Sequence, residues 1–517
     1  MNIPANRVIK NTGILYIKMG ITMFISLYTT RLILNSLGVT DFGIFNVVGG
    51  VIAMLGFMNA AMATATQRFM SYAEGEGKTE KQKSIFNVSV ILHFVIALIV
   101  GIVLEIVGLF FFHGVLNIPE TRLFAARMIY HFMIISTMFT IMTVPYDAVV
   151  NAHENMLYYA IVGVIESILK LTVAFVILYT LFDKLILYGL LMASISLVIM
   201  IIMRVYCHRK YIECVFAPKK YFDKGLMKEM RDFASWSFIG AATGMIGNYG
   251  LGIVLNMFFG TVLNAAQGIA GQLNGQLLVF SSTMMKALNP AIIKTEGGGE
   301  RQSMLKMSLM GCKFSFFLFS FFAIPFLIET PYILNIWLKN VPEWTVLFCR
   351  FAIMKTLIEQ LFLALNISIG AQGNIKSVSV IKSILNLIPL PLIYLSFTLG
   401  APPYMMYIIS IIFWSFIEGY ITIYFTLKNC KLNLTDYLNS VLYKCLIVFI
   451  LPLILGLIPI FMMHDTFVRL TMVVLISITS FISILYFLGL TKDERTYIVV
   501  AFNGISVKLK NRNNKIN

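Results

Sequence analysis

The stretch YIKMGITMFISLYTTRLILNSLG, residues 16–38, decides the class of fold. It is long enough to cross a bilayer as a helix, about 20 residues being sufficient. It nevertheless carries Lys18 near one end and Arg31 near the other, and no acid. A cation at membrane depth is costly, by about 3 kcal/mol or more at the bilayer centre, so each needs a reason. Working outward, similar apolar runs recur along all 517 residues. Of these residues 59% are hydrophobic and only 12% charged, a balance that a soluble chain of this length cannot bury. No in/out alternation of barrel strands accompanies the runs, so the spans read as helices. The early residues are polar, Lys18 interrupts the first run, and no small-residue cleavage site follows, so no cleavable signal is read and the first span is expected to stay.

Fourteen spans are expected, at about 12–37, 41–72, 84–112, 122–150, 156–181, 185–206, 233–259, 262–289, 304–328, 345–370, 376–399, 404–427, 437–461 and 467–490. The second and eighth are the least hydrophobic, being rich in Ala, Gly, Asn and Gln. With the N-terminus inside, nearly all loop lysines and arginines fall on the cytoplasmic side, chiefly in residues 208–233 and the tail from Lys508. The formal charge of +16 is therefore read as basic cytoplasmic loops, not as a nucleic-acid surface. The six cysteines are scattered without metal-ligand spacing and are read as ordinary thiols. Outer loops are short, the longest lying around residues 330–344, so no extramembrane domain is available for catalysis.

Two halves match at a shift of about 220 residues, as internal repeats do. Leu34-Asn35 with Gly38 corresponds to Leu255-Asn256 with Gly260, and Glu74-Gly75-Glu76-Gly77 to Glu296-Gly297-Gly298-Gly299. Ala152–Asn155 (AHEN) corresponds to Ala371–Asn374 (AQGN), each followed by Ser-Ile-Leu at Ser167 and Ser383. Spans one to six then equal spans seven to twelve, with two helices added. The domains read as a six-helix lobe (1–207), a basic cytoplasmic linker (208–232), a second six-helix lobe (233–430), and two further helices with a basic tail (431–517). Six being even, the lobes would be related by an axis along the membrane normal, with a cavity between them.

The six-plus-six-plus-two plan, TRLILNSLGVTDFGIFNVVGG (residues 30–50) and PYDAVVNAHEN (residues 145–155) resemble the polysaccharide-biosynthesis flippases. These belong to the multidrug/oligosaccharidyl-lipid/polysaccharide (MOP) superfamily, alongside the MATE drug exporters. The resemblance implies an all-α membrane protein of about fourteen transmembrane helices, with V-shaped, MATE-like lobes working by alternating access. It implies a bacterial inner-membrane location and an undecaprenyl-pyrophosphate-linked oligosaccharide as substrate, an O-antigen or capsular repeat unit. The partners implied are membrane lipids, glycosyltransferases and a glycan polymerase, with the transporter itself a monomer.

An anionic head group needs cations to receive it. Lys18, Arg31, Arg68, Arg127, Lys286, Lys313, Arg350 and Lys355 are the candidates, with Lys382 beside them. Snorkelling to lipid headgroups competes with that role, above all for Arg68 and Lys286 at span ends. Glu166–Lys170 and Lys355–Glu359, four apart, can also form internal pairs that let their helices insert. Lys18 and Arg31 lie about 140° apart around a straight helix, so both can face a cavity only if the helix bends near Gly20; otherwise one faces a neighbour. Asn248, Gln267, Gln272 and Asn274, with Asn256, Asn264 and Gln276, suit glycan hydroxyls and equally suit tight helix packing. Tyr28, Trp236, Tyr249 and Trp414 are candidates for stacking on sugars.

Asp147, Glu166, Glu359 and His131, with Glu105 and Glu418, are candidates for Na+ or H+ coupling; no other cofactor and no metal site is expected. A MATE-like cation-coupled exporter is the alternative, but a cationic cargo favours carboxylates where the first span has only Lys18 and Arg31. An enzyme would need a positioned acid or base, and no paired carboxylate, Ser-His-Asp set or metal cluster is visible.

Overall fold

In lipid every backbone polar group must be satisfied within the protein, and a helix does this within its own segment. The computed structural model describes residues 3–54, 56–112, 119–338, 341–491 and 494–495, and among these there is no strand. The helices are α1 (Ile3–Met54), α2 (Gly56–Glu76), α3 (Thr79–Phe110), α4 (Leu123–Ala152), α5 (Met156–Tyr179), α6 (Lys184–Lys210) and the short α7 (Pro218–Tyr221). There follow α8 (Lys224–Gly297), α9 (Arg301–Leu338), α10 (Thr345–Gln360), α11 (Leu363–Gln372), α12 (Lys376–Leu387) and α13 (Pro389–Thr398). The chain continues through α14 (Met405–Ser410), α15 (Glu418–Cys430), α16 (Leu434–Tyr437), α17 (Tyr443–Met462) and α18 (Phe467–Ile484). This is an all-α membrane protein. Ten helical segments are long and apolar enough to cross a bilayer among the described residues. They correspond to the expected spans three to seven, nine, and eleven to fourteen.

The remaining four expected spans are helical as well, with two departures from a simple rod. Spans one and two join inside α1 at Gly38, and spans seven and eight join inside α8 at Gly260, each glycine being the one residue of its helix with non-helical dihedrals. Their φ values are +77° and +76°, a region a Cβ disfavours, so a single glycine makes the turn. Span ten is not continuous: the helix breaks at Leu361–Phe362, dividing it into α10 and α11.

The duplication is written in the backbone. Gly77 and Gly299, separated in sequence by the same interval as Gly38 and Gly260, also share a positive φ, +68° and +79°. Glu154 of AHEN and Gly373 of AQGN form a third positive-φ pair. Caps support the helix starts: Asn155 accepts from the Tyr158 N–H (3.3 Å), and Asp183 accepts from Leu185 and Ile186 (3.1 Å each).

The chain divides into two compact units. The first holds Gly13–Ala242 and Ile293–Glu300, with a core around Val48, Leu104, Ile129, Ile177 and Leu185. Small residues set its close packing, as expected where lipid supplies no hydrophobic drive between helices: Gly189 of α6 lies against Ile129 of α4, and Gly108 of α3 against Tyr130. The second holds Thr243–Ile292 and the chain from Arg301 onward, with the beginning of α1 up to Thr12, around Phe319, Phe348, Ile353, Val448 and Val473. Long apolar side chains such as Ile102, Ile106 and Leu109 of α3 stand exposed, as on a lipid-facing surface.

Candidate functional site

In the first unit Lys18, Asp147 and Glu166 lie around Tyr159 of α5. The backbone of α1 runs through Gly20 without leaving helical dihedrals. Lys18 therefore meets a neighbouring helix: its Nζ lies 4.3 Å from the centroid of the Tyr159 ring, and its stem lies over Gly163, where any Cβ would collide with it. Lys18 has no carboxylate in ion-pair contact among the described residues, and the aromatic face is its partner. Asp147 of α4 and Glu166 of α5 act electrostatically on the same Tyr159 hydroxyl. Glu166 is also held by Lys170 at 2.6 Å, one turn along. The side chain of Arg31 lies outside the described residues.

In the second unit two Lys–Glu pairs form one cluster. Lys355 meets Glu359 at 2.7 Å on α10, and Lys382 of α12 meets Glu418 of α15 at 3.0 Å. Glu418 acts electrostatically on Glu359, which links the pairs. Asn366 of α11 accepts from Lys382 and from the Thr422 hydroxyl, the latter at 3.2 Å. Lys355 also lies 5.1 Å from the ring of Trp414, whose indole N–H donates to the Leu385 carbonyl at 3.2 Å. Trp414 is buried, so its ring is a wall of the cluster, while Tyr28 and Tyr249 are exposed and Trp236 half-buried.

The other candidate cations have varied surroundings. Lys313 is 2% exposed and grips both Glu494 oxygens at 2.5 and 2.6 Å. Arg350 donates from Nε to the Leu327 carbonyl at 3.1 Å and from Nη2 to Ile328 at 3.5 Å. Pro331 explains this: lacking an N–H, it leaves the carbonyl four residues before it, that of Leu327, without a helical partner. Arg68 sits among the rings of Phe69, Tyr72 and Phe233 at 4.7, 5.2 and 5.3 Å. Arg127 is exposed, near the Phe112 ring at 5.9 Å, and Lys286 is exposed on α8. His131 of α4 pairs with Glu105 of α3 at 2.9 Å, away from Asp147 and Glu166, both members half-exposed.

The amides divide similarly. Asn274 donates to Thr356 at 2.9 Å, whereas Asn248 donates to Gly244 of its own helix at 3.0 Å. Gln267 and Asn264 direct their oxygens toward Gly252 across the Gly260 turn, and Gln272 and Gln276 are exposed.

A further cluster links the repeat turns. His153 contacts Glu74 at 3.2 Å through Nδ1 and Glu213 at 2.5 Å through Nε2, and stacks on Tyr211 at 4.4 Å. Lys294 reaches Glu74 at 3.1 Å and Glu154 at 3.8 Å, and Gln82 donates to Glu74 at 2.6 Å. Burial works against charge at both centres, but the mutual hydrogen bonds outweigh it: His153 rises to about 9 and Glu74 falls to about 2. Gly75 and Gly297 make this possible. A Cβ on Gly75 would strike the Lys294 carbonyl, and one on Gly297 would strike the Tyr72 carbonyl. The two contacts are reciprocal under the repeat shift, Gly75 corresponding to Gly297 and Tyr72 to Lys294. The signal in sequence was the repeated Glu-Gly turn, but nothing in it pointed to His153 or Glu213.

With this geometry in view, the comparisons are decisive for the family. The family model described as polysaccharide biosynthesis protein matches residues 8–296. The chain belongs to this family. A comparison with curated protein sequences returned no match. Among solved structures, a point mutant of a MATE protein aligns with TM-score 0.71 and 12% identity, covering 83% of this chain and 96% of that one. An outward-facing MATE multidrug resistance transporter of the MOP superfamily gives TM-score 0.67 at 11% identity, with the same coverage. A MOP superfamily transporter from Pyrococcus furiosus, reported for a reversed polarity of its binding pocket that suggests a different function, gives 0.66 at 14%, covering 83% and 97%. The fold is MATE-like. The chain therefore combines membership of the polysaccharide biosynthesis family with a multi-pass, MATE-like helical membrane fold.

Proposed function

We propose that this transporter flips an undecaprenyl-pyrophosphate-linked oligosaccharide, an O-antigen or capsular repeat unit, across the bacterial inner membrane by alternating access, with both termini cytoplasmic. The observation that carries the reading is the family match over residues 8–296. The charge arrangement supports an anionic cargo. Lys18 is a cation at membrane depth held against an aromatic ring, with no carboxylate paired to it among the described residues, so its charge is available to a phosphate. The second unit contributes differently. A pyrophosphate or acidic sugar that draws Lys355 or Lys382 away leaves Glu359 or Glu418 to take a proton or Na+, which is how the cargo would couple to an ion. Asn366 beside them, partly exposed, carries an amide of the kind sugars bind, and the buried Thr422 hydroxyl holds it in place.

Deletion of the gene followed by analysis of lipid-linked glycans tests this. Accumulation of the lipid-linked repeat unit on the cytoplasmic side is the expected result. A normal glycan coat with altered tolerance to cationic dyes or drugs would replace the flippase by an exporter. Arg31→Ala and Arg31→Lys, compared at equal protein level, test that residue separately, and full function with alanine removes it from the substrate path.

A further inference from the structure

The segment between α6 and α8 is folded inside out by the standards of a loop in water. At its turn a carboxylate and a thiol point inward. Glu213 is 3% exposed, bound to His153, and Cys214 is buried beside Cys207. Its apolar residues point outward: Ile212 is 72% exposed, and Val215 and Phe216 stand out with it. The conformation is firmly held. Asn87 of α3, itself fully buried, donates to the Val215 carbonyl and accepts from the Ala217 N–H, both at 2.8 Å. The Cys214 N–H bonds back to Tyr211 at 3.2 Å, and the Val215 N–H to Glu213 at 2.9 Å. A segment fixed this way presents three large apolar side chains by construction, which makes sense where the surroundings are not water.

Position and charge identify the surroundings. The exposed face of α6, through Val198, Ile201 and Val205, runs directly into Arg209 and then Ile212, so the apolar residues continue a lipid-facing stripe past the end of a span. Exposed cations flank them on both sides, Arg209 and Lys210 before, Lys219 and Lys220 after. Apolar side chains bracketed by lysine and arginine at a membrane surface are the combination that inserts at the headgroup–acyl boundary and binds anionic lipid.

We propose that residues 209–220 form an interfacial anchor, with Ile212, Val215 and Phe216 inserted into the bilayer beside α6 and with Arg209, Lys210, Lys219 and Lys220 holding anionic phospholipid headgroups. The inference concerns lipid at the periphery of the first unit and does not depend on which cargo is carried.

Full-length protein carrying Phe216→Trp, reconstituted in vesicles of phosphatidylcholine and phosphatidylglycerol with brominated acyl chains on one or the other, tests it. The signal is read as the difference from the parent, which has four tryptophans. The added indole should emit at short wavelength. At equal mole fraction it should be quenched at least about twofold more strongly by brominated phosphatidylglycerol than by brominated phosphatidylcholine, since each surface cation favours anionic lipid by about 1 kcal/mol. Changing Arg209, Lys210, Lys219 and Lys220 to Gln should equalise the two lipids while quenching persists, which also reports that the variant is folded. Emission typical of water with no quenching overturns the anchor and leaves the apolar face to a protein partner. Equal quenching by both lipids with the cations intact overturns the headgroup assignment.

Discussion

Lys313→Met separates structural cations from functional ones. The lysine is almost wholly buried in α9 and both Glu494 oxygens are within 2.6 Å of its Nζ. Glu494 is further fixed at the end of the last span by the Thr491 N–H at 2.7 Å. Removing the lysine leaves a buried carboxylate with its main partner gone, and breaking such a pair on one side costs roughly 3–5 kcal/mol. The double variant Lys313→Met with Glu494→Leu removes both charges, and replacement of a buried pair by apolar groups is close to neutral. A double-mutant cycle should therefore give a coupling of roughly 3 kcal/mol, with the double variant near the parent. A thiol-reactive dye provides the assay, because all six cysteines are buried and free and become reactive as the protein unfolds. On heating in detergent, the single variant should unfold on the order of 5 °C or more below the parent. The double variant should unfold within about 2 °C of it and retain lipid-linked glycan translocation. Translocation lost in the double variant at parental stability would refute the reasoning, because it would require the Lys313 charge to meet the substrate.

Lys18→Met should lower translocation severalfold at unchanged stability, read as accumulated lipid-linked glycan; Gly163→Leu, which forces the lysine stem aside, should produce the same loss with Lys18 still present. Arg350→Met leaves the Leu327 carbonyl only the long bond from the Thr330 hydroxyl at 3.4 Å and should destabilise by about 1 kcal/mol, measured by the same thermal assay. The His153 cluster gives a pH dependence whose sign follows from its shifts. The raised His153 stabilises fully below its ordinary value of 6.5 and loses this as pH rises through about 9, whereas the lowered Glu74 stabilises fully above 4.5 and loses this as pH falls toward about 2. Stability from this cluster should be greatest between these limits, and His153→Gln should remove the alkaline decline.

The repeat was legible because its marks are backbone demands. Gly38, Gly77, Gly260 and Gly299 adopt positive φ, and a requirement of that kind fixes residue type at fixed intervals. Spans were legible because bilayer thickness sets their length, and span ten failed only where Leu361–Phe362 breaks the helix without a proline or glycine to announce it. The charges were half legible. Glu166–Lys170 and Lys355–Glu359 follow from helical spacing, since both members lie on one helix face. Lys382–Glu418 and Lys313–Glu494 join different helices, and periodicity along one chain segment carries no information about which neighbour lies opposite. The partner of Arg350 was illegible for another reason: it is a carbonyl freed by Pro331, and the clue was a proline rather than an acid.

The distribution of partners changes what the buried cations mean. Counted along the sequence they are an unexplained excess. Placed in space, Lys313, Lys355 and Lys382 of the second unit each have a carboxylate, whether as a lock (Lys313) or in the Lys355–Glu359 and Lys382–Glu418 cluster. A lock and a cluster differ in one testable respect. Lys313 is sealed from any solvent, whereas Lys355, Glu359, Lys382 and Glu418 are each partly exposed, so a ligand or an ion can compete for them. If that competition is the coupling step, Glu418→Gln should leave Lys382 permanently available to an anion and should break the dependence of translocation on the driving ion more than it weakens cargo binding. Transport in proteoliposomes with and without an imposed Na+ or H+ gradient reads the two effects separately. Equal gradient dependence in the parent and in Glu418→Gln would assign the cluster to packing and leave Lys18, on its aromatic seat, as the cation that meets the cargo.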